Sequence, residues 1–134
     1  MPFYTAMTQE GLISDAKKAV IAQEIVQVHT SVMRVPRNFV RTVFMDYPKG
    51  SGFTAGEEAP TAAVTCILRV GHTDEDKATL MKQIWAMFQE HTGIATEQLA
   101  ISLQEVAASD AMEMGTLMQG VNPRIAREHN ADYQ

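Results

Sequence analysis

The sequence is poor in features that announce chemistry by themselves. It has one cysteine and one tryptophan in 134 residues, and its histidines, His29, His72, His91 and His129, fall at no metal-ligand spacing. A single thiol forms no intrachain disulfide, and Cys66, inside the apolar run AAVTCILRV, reads as a small buried hydrophobe. The one Lys-Gly-Ser, in the segment PKGSGFTAGEEAP, has no helix after it and so forms no phosphate loop. Neither a metal nor a cofactor is expected. No apolar stretch approaches the roughly 18 residues of a membrane span, and the N-terminus lacks the basic-then-apolar pattern of a secretion signal. The expectation is a cytoplasmic protein with no membrane partner. Acidic residues outnumber basic ones, 16 to 11, and a net charge of −5 draws the molecule to no nucleic acid. The nearest thing to a basic patch is Arg34, Arg37 and Arg41, which read as a solvated face or a subunit contact.

What the sequence does have is a weak internal repeat. Hydrophobic residues make up 46% of the chain, enough for one globular domain over 1–134. Sliding the chain by 60 positions brings Thr5 onto Thr65, Lys17 onto Lys77 and Phe39 onto Leu99, and both halves, about 2–46 and 62–106, read strand, helix, strand. In the first half FYTAM is a strand, Ser14 caps the helix DAKKAVIAQEIVQVHTSVM, Pro36 stops it, and NFVRTVFM is the second strand. In the second half AAVTCILRV is a strand, and Thr73 starts the helix DEDKATLMKQIWAMFQEHT, whose acidic first turn suits the helix dipole. Gly93 stops that helix and QLAISLQEV is the closing strand. A helix of about 20 residues between two strands implies parallel pairing by a right-handed crossover. The fold expected is therefore α+β: two fused β-α-β units making a four-stranded sheet, with two helices on one face. Strands apolar on both sides leave the other face to be covered by oligomerisation. The tail, 121–134, is polar.

The chain opens MPFY, and a small second residue lets the initiator methionine be removed, leaving Pro2 with a titratable secondary amine. An N-terminal proline on a strand, followed by two β-α-β units at this length, resembles the tautomerase superfamily with its macrophage migration inhibitory factor-like fold. The chain is more closely similar to the cis-3-chloroacrylic acid dehalogenase subgroup, through MPFY, QVHTSV, RNFVRTVF, LRVGHTDEDK and EMG. The resemblance runs from Pro2 to about Gly115 and implies a homotrimer, its helices outside and its sheets lining the centre. It also implies a pocket with the proline nitrogen at its floor. The subgroup's proline, histidine, arginine, second arginine, tyrosine and glutamate fall here on Pro2, His29, Arg69, His72, Ser102 and Glu113. His72 and Ser102 depart from that pattern. By the resemblance, Pro2, Arg69 and Glu113 are catalytic, and His29, His72 and Ser102 bind substrate.

The residues allow plainer readings too. Arg69 can be a strand-end arginine in solvent, His29 a core histidine on the stripe Ala22, Val26, His29, Met33, His72 a helix-start residue, and Glu113 an exposed loop carboxylate. The functional reading has its own physics. An α-amine with a pKa of roughly 7.8 is about one-seventh neutral at pH 7, and an apolar pocket beside a guanidinium lowers that pKa. A drop of about one unit makes more than half of it neutral, able to take a proton beside a carbonyl and return it elsewhere. Arg69 suits a substrate carboxylate through its planar fork. The leading expectation is a cofactor-independent tautomerase acting on small enol or 2-keto carboxylic acids. The alternatives are a hydratase or dehalogenase of 3-haloacrylates, in which Glu113 activates water, and a non-catalytic trimeric binding protein.

Overall fold

The structure, a computed structural model, describes residues 1–118; the polar tail expected over 121–134, with His129, lies outside the described residues. Strand β1 (Phe3–Gln9) is followed by helix α1 (Asp15–Met33), a short 3₁₀ turn (Arg37–Phe39) and β2 (Arg41–Tyr47). A small hairpin, β3 (Phe53–Thr54) and β4 (Glu57–Glu58), leads into β5 (Ala62–Arg69), α2 (Asp74–Thr92), a second 3₁₀ turn (Thr96–Gln98) and β6 (Leu99–Val106). A third 3₁₀ turn (Ala108–Asp110) and a second hairpin, β7 (Met112–Glu113) and β8 (Thr116–Leu117), close the described chain.

Both helices begin where their caps dictate. The Ser14 hydroxyl accepts from the Lys17 N–H at 3.2 Å, and the Thr73 hydroxyl from the Asp76 N–H at 3.1 Å, each such cap contributing about 1 kcal/mol. Helix α1 ends one turn before Pro36, on Arg34 in the left-handed conformation, and α2 ends on Gly93 in the same conformation. The sheet order is β2-β1-β5-β6, with β1 parallel to β2, β5 parallel to β6, and β1 antiparallel to β5. One sheet face, carrying Tyr4, Ala6, Val64, Cys66 and Leu68, packs against Ile21 and Ile25 of α1 and Leu80, Ile84 and Phe88 of α2. Met7, Val43 and Met45, pointing away from the helices, remain exposed. No helix among the described residues is long and apolar enough to cross a membrane.

Two sequence expectations change in detail. The repeat is 59 residues, not 60: caps Ser14 and Thr73, helix starts Asp15 and Asp74, and stops Arg34 and Gly93 all share that spacing. The matches of Phe39 with Leu99 and Thr5 with Thr65 are one position out of register. The segment 48–60, which joins the two halves, carries the first hairpin, and β2, expected to begin at Asn38, starts at Arg41 because Arg37–Phe39 coil into the 3₁₀ turn.

Candidate active site

Strand register gathers the site. Phe3 pairs with Arg41 in β2, whose N–H donates to the Pro2 carbonyl at 3.2 Å. Phe3 also pairs with Ile67 in antiparallel β5, so Arg69, two residues on, reaches the level of Met1. Arg69 pairs with Val106, which brings the end of β6 to the same edge of the sheet. From there the chain folds back as the β7–β8 hairpin. Met114 and Gly115 take φ of 52° and 77°, the double left-handed turn that twists with its strands, and the Met118 N–H closes the hairpin on the Ala111 carbonyl at 2.9 Å. That turn puts Glu113 inside, leaving its side chain 2% exposed.

Glu113 is held from two sides. Its Oε1 accepts from the Arg41 guanidinium at 2.6 Å, and its Oε2 pairs with the terminal amine, here that of Met1. A cavity of about 440 Å³ opens beside them, lined by Met1, Arg69 and Glu113 and by apolar Val35, Phe39 and Leu117. Burial lowers the pKa of the amine from its ordinary value; the Glu113 hydrogen bond and charge oppose this, and the charges of Arg41 and Arg69 add to it. Pro2, the next residue, has a fully buried side chain. One amine, two guanidiniums and one carboxylate can hold an anion, lower the cost of a neutral amine, and move a proton.

The structure brings Pro2, Arg69 and Glu113 together. His29 is instead 1% exposed in the core, its Nδ1 2.7 Å from the Tyr4 hydroxyl. Burial holds its pKa down to about 3, helped by the charges of His72 and the terminal amine, so it lies within electrostatic reach of the site. His72, just before the α2 cap, is half-buried; burial lowers its pKa, and the Arg69 charge adds to that. Ser102 is exposed on the uncovered sheet face, paired with Thr65 in the middle of the sheet, and does not line the cavity. Arg41 went unread as a site residue. Its signal was present: in a β-α-β unit the second strand starts beside the start of the first, so an arginine opening β2 must sit beside Pro2.

Two β-α-β units joined antiparallel, with the chain's own amine among arginines at one edge, make up the tautomerase fold. Residues 1–123 match the Tautomerase_3 family model, described as "Putative oxalocrotonate tautomerase enzyme", and the chain belongs to that family. Among solved structures, native Ps01740 is similar at 26% identity and a TM-score of 0.81, covering 83% of this chain and 99% of that one. N1, a member of the cis-3-chloroacrylic acid dehalogenase family, has 24% identity and a TM-score of 0.83, covering 97% and 99%. A symmetric trimer of wild-type fused 4-OT has 20% identity and a TM-score of 0.80, covering 87% and 94%. The last two likenesses are of fold. No curated protein matches the chain.

Proposed function

We propose that this protein is a cofactor-independent tautomerase of small enol or 2-keto carboxylic acids, with Pro2, freed by removal of Met1, as general base and then general acid. The observation that carries the reading is the terminal amine, half-buried among Arg41, Arg69 and Glu113, with its pKa lowered. Loss of Met1 moves the amine one residue toward the buried Pro2 and vacates the space that Met1 takes in the cavity. Arg69 grips the substrate carboxylate. The neutral proline nitrogen takes a proton from one end of the enol system and returns it to carbon at the other. Arg41, bound to Glu113, keeps that carboxylate away from the substrate's own charge.

A second reading has its own support in the burial of Glu113 beside the amine, where a carboxylate can polarise water for addition to a 3-substituted acrylate. Fused 4-OT is a trimer, and Met7, Val43 and Met45 exposed on the open sheet face of this chain favour a homotrimer. A dilute-solution mass near one chain would contradict that assembly. The reading is tested by screening enol acids and haloacrylates on protein with a verified N-terminus. Replacing Pro2 by Ala, or retaining Met1, should lower ketonisation by about 10²–10⁴-fold. Glu113→Gln should leave ketonisation nearly intact but abolish any hydration; full loss of both, with the assembly undisturbed, would contradict the assigned roles.

A further inference from the structure

Beneath the site lies a buried polar group that the proposed chemistry does not use. Tyr4 is 1% exposed, in β1 two residues after Pro2 and on the same, helix-covered side of the sheet. Its ring meets that of His29 edge-on, at an interplanar angle of 87° and a centroid distance of 5.5 Å, with the hydroxyl 2.7 Å from Nδ1. Cys66 is the cross-strand partner of Tyr4 in β5 and contacts the same hydroxyl. Three elements, β1, α1 and β5, thus each bring one polar side chain to this cluster in the core.

We propose that Tyr4 is a positioning residue: its hydroxyl donates to His29 Nδ1, fixing the histidine proton on Nε2 and making His29 an N–H donor within electrostatic reach of the terminal amine. The hydroxyl has one proton and two candidate acceptors, and imidazole nitrogen is a far better acceptor than a thiol sulfur. The Cys66 thiol has its own acceptor in the Ile67 carbonyl at 3.8 Å. Burial raises the pKa of Tyr4, so the phenol keeps its proton, and burial keeps His29 neutral, so exactly one ring nitrogen carries a hydrogen. With Nδ1 accepting, that hydrogen is on Nε2. Among the described residues, the one buried side-chain polar atom both unpartnered and sealed from solvent is Thr8 Oγ1; His29 Nε2 has no partner among the described residues and, unlike Thr8 Oγ1, is not fully sealed from solvent. The titratable groups within electrostatic reach of the ring are the terminal amine and His72, while Tyr4 bonds it directly and Cys66 contacts the Tyr4 hydroxyl. His29 is thereby a neutral donor, and it leaves the role of base to the amine.

The kinetic consequence rests on the tautomerase reading; the tautomer does not. Long-range ¹H–¹⁵N spectra of the unmodified protein at pH 7 should show His29 Nδ1 as an unprotonated acceptor and Nε2 as protonated. Protonated Nδ1 would overturn the proposal without any variant. In Tyr4→Phe, which keeps the ring, His29 should become a mixture of tautomers, and kcat/KM for ketonisation should fall roughly tenfold, mainly in kcat. An unchanged tautomer, or a changed tautomer with unchanged kcat in an active enzyme, would likewise overturn it. A shifted tautomer in a protein inactive on every enol would leave Tyr4 in place and remove the tautomerase reading.

Discussion

The hairpins at 53–58 and 112–117 stand 59 residues apart and share one turn, with φ of 53° and 80° at Ala55 and Gly56, and 52° and 77° at Met114 and Gly115. They serve opposite edges of the sheet. In the first hairpin Thr54 donates to the Gln98 side chain at 2.7 Å; in the second, Glu113 takes the equivalent position and grips Arg41 and the terminal amine. The same shift pairs Pro2 with Thr61, Arg41 with Ala100, Arg69 with Glu10 and His29 with Phe88. At the first hairpin's edge the Tyr47 hydroxyl donates to the Thr61 carbonyl at 2.5 Å and closes over Gly52, where a Cβ would meet that hydroxyl at 2.5 Å. Duplication therefore supplies two equivalent edges, but one of them is a chain start. That edge holds a titratable amine, and the arginines and carboxylate are gathered there.

The sharpest break in the comparison should come from Arg69 and its counterpart. Arg69→Ala should lower kcat/KM for a carboxylate substrate by about 10²-fold or more, while Glu10→Ala, at the far edge, should leave it unchanged. Steady-state kinetics on both variants decide it.

The His29 and Phe88 pair should differ in acid. His29 has a pKa of about 3 in the fold, set first by burial, against 6.5 as the ordinary value. Between those values the unfolded chain binds more protons, so stability is complete above about pH 6.5 and falls toward pH 3, by on the order of a few kcal/mol. His29→Phe, which copies the other half, should flatten this limb in urea titrations at pH 7 and pH 4.

Smaller effects belong to the far edge. Gly52→Ala forces Tyr47 and the Ala59 carbonyl apart and should destabilise the fold by about 1–3 kcal/mol. Thr54→Val should remove about 1 kcal/mol through the bond to Gln98, with ketonisation untouched. Loss of activity in Thr54→Val would mean that the two hairpins share more than geometry. Thermal melts and kinetics report both.

Much of this architecture was legible from residues one turn apart. Ser14 and Thr73 mark the helix starts because a cap acts locally, and the long apolar periods between them make α1 and α2 read true to their ends. The hairpins were not legible, since strands of two residues have no period to detect. Glu113 read as an exposed loop carboxylate by its neighbours alone, because its burial depends on Arg41 and the chain terminus, 72 and 112 positions away. The resemblance named it; local sequence did not. Tyr4 was hidden for a similar reason: as a strand residue it looks like ordinary core until α1 sets His29 against it.

The central claim is a neutral amine on Pro2 within the cavity, and its alkylation tests that most directly. Protein with Met1 removed is treated with a small 2-keto halide across pH, and the adduct is mapped by peptide mass. Burial pushes the Cys66 thiol up to about 12, which makes it a poor competitor. The account predicts one adduct per chain, on Pro2, with enol ketonisation lost in step and a rate that rises with pH through a midpoint below the ordinary α-amine value of about 8. Modification confined to Cys66 with activity lost, or a Pro2 midpoint at or above that value, would contradict it.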